Sequence, residues 1–278
     1  MDLYTGYSAL SVNPKQNLFW RQSPIPVITL QQTSNKVPKK RSLTVPLNVD
    51  VASFAASRNP DVPRRFGQRY NAEKFLPEAG NTVVCHLDFD ASAHKAVLDA
   101  RKRMMALPEA GRFLFTPAES LHMTVFEGVI ETRRTPDTWP RDLDRDASVS
   151  SVTDAMIDRL ADFSAPSSFA VRVTGCSPTG LALKGATDED EAKMLAWREA
   201  LTEPFAYRHE DHDAYQHHMT FAYPITWLPD AVLPIWEAEL AAILADLAEA
   251  APVIPLAAPA FCQFADMTRF EELRVLST

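Results

Sequence analysis

The strongest constraint on how this chain can fold is a short pattern written twice: His122-Met123-Thr124-Val125 and, 96 residues later, His218-Met219-Thr220-Phe221. Each copy lies among β-forming residues, and along a strand alternate side chains share a face. His122 and Thr124 therefore point one way while Met123 and Val125 point the other. His218 and Thr220 repeat the arrangement against Met219 and Phe221. One His-x-Thr alone carries little information, since a strand histidine is usually a hydrogen-bonded structural residue. Two copies, alike even at the Met and final apolar positions, argue for one site assembled from both.

A histidine beside a hydroxyl suits a phosphoryl group. The hydroxyl donates to a non-bridging oxygen, and the imidazole sits within proton-transfer reach of an entering or leaving oxygen. Two such strands face to face supply a base on one side of phosphorus and an acid on the other, and imidazole titrates near neutrality. Two hydroxyl donors can stabilise developing charge without a metal ion. Other routes to phosphate chemistry are missing from the sequence. With 8 glycines against 21 prolines in 278 residues, it contains no Walker A loop, no GxGxxG and no Gly-x-Ser-x-Gly elbow. Cys85, Cys176 and Cys262 are few, odd in number and far apart, which predicts buried, reduced thiols and no disulfide framework.

The charge is uneven. The net value is −8, but the first 49 residues carry +5 and the remainder −13. A body that acidic opposes a long polyanion, because phosphate contacts dominate nucleic-acid affinity. It still allows a small nucleotide or an RNA terminus, the partners expected here. No apolar run approaches the roughly 18 residues of a membrane helix, so no membrane association is expected. The expected state is a cytoplasmic monomer, with no cofactor.

Residues 1–60 are polar and aperiodic and read as an extended or disordered basic leader. Residues 61–278 read as one α+β domain, with intertwined lobes over about 80–150 and 165–267. The predicted strands are 82–88, 112–115, 121–130, 168–174, 179–184, 215–223 and 261–266. Helices are predicted after Ser92 and Thr187 as caps, around Val152 to Phe163, and over 231–250. On the Thr187 helix, Met194, Leu195 and Leu201 are expected to be buried, with only the stem of Arg198.

The two motifs, with their apolar final positions, resemble the signature of the 2H phosphoesterase superfamily; the resemblance covers about residues 80–267. The flanks Asn81-Thr-Val-Val-Cys-His86 and Phe264-Ala-Asp-Met267 look most like a poorly characterised bacterial branch. The resemblance implies a bilobal, pseudo-twofold α+β fold, with two antiparallel sheets lining a central cleft and helices outside. It implies cyclic or 2′-5′ phosphodiester chemistry, with His122 and His218 as the catalytic pair and Thr124 and Thr220 binding phosphate. A nucleotide-end binding module without turnover is the alternative of another class. A second alternative is a metal-dependent phosphohydrolase using the dense cluster His209-Glu-Asp-His212-Asp213 to His218, although neighbours in an extended loop do not converge on one ion. That loop reads better as a solvated acidic rim, and His217 as structural. Tyr215, Tyr223, Lys184, Arg64, Arg65 and Tyr70 could grip a substrate, though packing or solvation explains each more simply. Tyr215 and Tyr223 sit at odd offsets from His218, on the opposite face of a regular strand.

Overall fold

The computed structural model describes residues 48–277. Among the described residues ten strands form two sheets. Strands β1 (Asn48–Val49), β2 (Gly80–His86), β4 (His122–Ile130), β5 (Val171–Ser177), β6 (Gly180–Gly185), β7 (His218–Thr220), β9 (Ala260–Phe264) and β10 (Glu271–Val275) make one sheet. Its order is β1-β5-β6-β7-β4-β2-β9-β10. Strands β3 (Phe113–Phe115) and β8 (Ala222–Pro224) pair separately. The helices are α1 (His94–Met105), α2 (Val149–Arg159), α3 (Asp188–Phe205) and α4 (Leu233–Ala250).

The class is α+β as expected, but the strands do not divide into two sheets lining a cleft. One continuous sheet runs through both motifs, because β7 hydrogen-bonds to β6 on one side and β4 on the other. The seam between β4 and β7 is a single residue pair, Met123↔Met219. Both methionines are fully buried, each contributing about 1.5–3 kcal/mol of burial. They lie in the main core with Cys85 and Leu181, their row-mates on β2 and β6, and with Trp197 and Leu201 of α3 and Trp236 and Leu240 of α4. On the strands' other side a smaller apolar cluster gathers Val84, Ala260, Phe264, Met267 and Phe270.

Several local expectations need correction. The Thr187 cap is a full capping box with Asp190, but α1 starts at His94 after Ala93 with no side-chain cap, so Ser92 does not cap it. The strand predicted over 215–223 is broken: β7 ends at Thr220 and the chain crosses to β8 in the other sheet. Strand β10 lacks a clean alternation and escaped the sequence reading. Residues 48–60 belong to the body, since β1 pairs in parallel with β5 and Val51 and Ala55 are buried. The remaining leader residues lie outside the described ones. Along α3, Leu195 is exposed, whereas the whole Arg198 side chain is buried.

Candidate active site

The Met123↔Met219 register determines what surrounds the motifs. In an antiparallel pair it sets His122 level with Thr220 and Thr124 level with His218, all four on the face opposite the methionines. The flanking strands extend these rows to His86 and Gly180 in the first, and to Val84 and Ala182 in the second. Each histidine thus has the other motif's threonine directly opposite, with Cβ atoms about 4.5–5.5 Å apart, while the histidines are diagonal neighbours at about 7–8 Å. All four side chains line one pocket, together with Arg69, Thr116, Ser120, Glu127 and Tyr215.

Both imidazoles are oriented by the same local device. Each begins its strand, and its ring folds back on the carbonyl two residues earlier. His122 Nδ1 lies 2.6 Å from the Ser120 carbonyl, and His218 Nδ1 lies 2.8 Å from that of Gln216. A carbonyl only accepts, so Nδ1 carries the proton and donates. Nε2 of each ring is left for the pocket. Their surroundings differ, however. His122 is half-buried, with the Phe270 ring centroid 4.1 Å away and that of His86 at 6.2 Å. Burial is the main force lowering its pKa to about 4, aided by His86 and His218 and opposed by the Ser120 carbonyl. His122 is therefore neutral at pH 7. His218 is exposed to solvent.

A β-bulge brings a third motif-strand side chain into the pocket. On β2 the adjacent residues Val84 and Val83 pair with Thr124 and Phe126, so Val125 is the extra residue. Beyond it the alternation is inverted, and Glu127 joins His122 and Thr124 on the pocket side. The bulge carbonyl of Val125 accepts a hydrogen bond from Arg198 Nη1 at 2.8 Å. The same guanidinium lies 4.1 Å over the Tyr215 ring, which explains why a complete arginine is buried in α3. Burial pushes the Glu127 carboxyl up, but Arg133 (2.8 Å), His209 and Arg69 outweigh it and hold the group below the usual range. The far wall is apolar, with Phe264, Met267 and Phe270 from β9 and the loop after it, and Tyr223 from β8.

Of the substrate-gripping candidates, Tyr215 and Tyr223 line the pocket, contrary to the odd-offset argument, because neither belongs to β7. Tyr70 packs against Tyr223 at 5.2 Å. Lys184 is exposed and lies outside the pocket lining; Arg64 is also absent from it, and Arg65 pairs at 3.9 Å with Glu78. The arginine that does line it, Arg69, was missed; its Nε donates to the buried Glu78. In the histidine-rich loop the acidic residues Glu210, Asp211 and Asp213 are exposed as expected, but His209 and His212 are buried. His209 Nε2 donates to the Glu127 carbonyl and His212 turns toward Glu199. Among the described residues no three His, Cys, Asp or Glu side chains converge as metal ligands. All three cysteines are free and buried.

His217, directly before the motif histidine, is buried on the opposite side of the strand, as its position predicts. Burial foremost, then Arg198 and His218, lowers its pKa to about 3. An unfolded histidine titrates near 6.5, so below that pH the unfolded chain takes up a proton that the folded one refuses. Stability is therefore complete above pH 6.5 and is lost as pH falls toward 3. By pH 5 this ring alone should remove roughly 2 kcal/mol. Urea unfolding at pH 7 and pH 5 tests this, and equal midpoints would contradict it.

A mixed sheet in which two His-x-Thr strands lie side by side and face one pocket fits a 2H-type protein, and comparison with known proteins agrees. Residues 69–182 match the family model 2H-phosphodiest, described as a domain of unknown function (DUF1868). The chain is 45% identical to a conserved protein of unknown function, ATU0111 from Agrobacterium tumefaciens str. C58. That crystal structure superposes with a TM-score of 0.80, covering 81% of this chain and 98% of that one. No curated protein matches. The chain belongs to this 2H-phosphodiest family, within the 2H phosphoesterase superfamily. Among the described residues no helix is long and apolar enough to cross a membrane.

Proposed function

We propose that this protein is a metal-independent phosphodiesterase that hydrolyses a cyclic or 2′-5′ phosphodiester in a small nucleotide or at an RNA end. The observation that carries the reading is the pairing of the motifs across one seam, which turns two Nε2 atoms and two threonine hydroxyls toward one pocket. Thr124 and Thr220 donate to the non-bridging phosphate oxygens. His122, neutral at pH 7, takes a proton from water as the water oxygen bonds to phosphorus. The ester oxygen on the opposite side leaves with a proton donated by His218 as the general acid. The product is a phosphomonoester.

Incubation with 2′,3′-cyclic nucleotides and 2′-5′ dinucleotides should release phosphomonoesters at the same rate with and without EDTA. Loss of the activity in EDTA would favour the metal-dependent alternative. Nucleotide binding without turnover across the panel would favour a binding module. Thr124→Val or Thr220→Val should each lower kcat by about 10²-fold, the scale of losing one donor to a developing oxyanion. A rate within twofold of wild type in both variants would remove the hydroxyls from phosphate binding.

A further inference from the structure

A charged carboxylate in a pocket meant for a phosphodiester needs a reason, because it repels the substrate it faces. Glu127 is that carboxylate, and much of the local structure serves to place it. The Val125 bulge turns it inward, Arg198 caps the bulge, and its own carbonyl is held by Tyr207 and His209, both at 2.9 Å. Among the described residues only Oε2 is engaged, by Arg133 at 2.8 Å, and the side chain keeps 39% of its exposure. Other polar groups at this end of the pocket are already committed. Asn81 accepts from Val129 and donates to Thr153, and the Thr82 hydroxyl donates to the Phe126 carbonyl.

Position matters as much as charge. Thr124 is level with Val84 and Glu127 with Thr82, two residues apart along β2, so their backbone positions stand about 7 Å apart along the pocket. A sugar ring spans that gap and puts a base edge at the carboxylate. The walls there are flat and apolar, with Phe264 and Tyr223, and the remaining cation is Arg69. A carboxylate accepts two parallel N–H donors, and an arginine donates to a neighbouring carbonyl. Guanine presents that set on one edge, with N1–H and the 2-amino group beside O6. Uracil offers one N–H between two carbonyls.

We infer that Glu127, with Arg69, is a specificity-determining residue that selects a guanine base attached to the scissile phosphate. This rests on the phosphodiesterase reading above and names its substrate class. The test compares 2′,3′-cyclic GMP with 2′,3′-cyclic UMP in kinetics, and 3′-GMP with 3′-UMP in calorimetric binding, for wild type and Glu127→Gln. The wild type should prefer guanine by about tenfold to a hundredfold, the range of one good bidentate base contact. Glu127→Gln keeps the shape, and should bring the ratio near one, chiefly through KM. Equal turnover and equal binding of the two wild-type pairs would overturn the inference and leave the phosphodiesterase reading intact, as would a preference undiminished in Glu127→Gln. Preferential 3′-GMP binding that needs Glu127, with no turnover of either cyclic nucleotide, would uphold base selection and overturn the hydrolytic reading. Neither turnover nor binding would overturn both.

Discussion

Replacing either His122 or His218 by alanine is expected to lower kcat/KM for a cyclic nucleotide by about 10²- to 10⁴-fold, the range of a positioned acid or base. Neither substitution should disturb the fold, since both rings stand at strand starts on the pocket face while the methionines between the rows hold the core. The two losses should not multiply in the double variant, because base and acid serve one displacement. The pH dependence separates the roles. kcat/KM reports the free enzyme, and His122 holds its pKa near 4. The acidic limb should therefore lie below pH 5, and His122→Ala should abolish it. Wild-type rates in either alanine variant would remove that histidine from the mechanism.

Gly180→Ala should be strongly damaging although it lies outside the motifs. Gly180 has φ +143°, a conformation that side chains rarely adopt, and a Cβ there would meet the Met219 carbonyl oxygen at 2.1 Å. It pairs directly with Thr220, so the clash would be relieved only by moving β7. The conformation alone costs about 1–3 kcal/mol, and displacing β7 by about 1 Å should lower turnover by about 10²-fold. Gly111→Ala is the control, since a Cβ there meets nothing within 4 Å. Thermal unfolding and kinetics on both variants decide it. A Gly180→Ala protein with the stability and rate of Gly111→Ala would show that the seam tolerates movement.

What could be read from the sequence was whatever obeys a period. The alternation in His-Met-Thr-apolar put histidine and threonine on one face of both strands, and the pocket brings all four together. The same rule failed beyond Thr124, because a bulge is invisible to it. Glu127 was assigned no role for that reason, and Tyr215 and Tyr223 were placed on the wrong face because the strand around them is broken. Arg69 and Phe270 reach the pocket through loops that carry no periodic signal. Arg198 looked like a snorkelling surface residue; its burial depends on the Val125 carbonyl and the Tyr215 ring, contacts distant in sequence. The two motifs, expected from the family resemblance on two sheets, share one because β7, only three residues long, bridges β4 and β6.

The crosswise rows also bear on proteolysis. Neither motif owns a complete histidine–threonine row, since the threonine opposite each histidine comes from the other half of the chain. A nick in the loop before α2 followed by separation of the fragments would leave no weakened half-enzyme. Activity lost that way would return only when the two pieces reassociate and the methionines meet again.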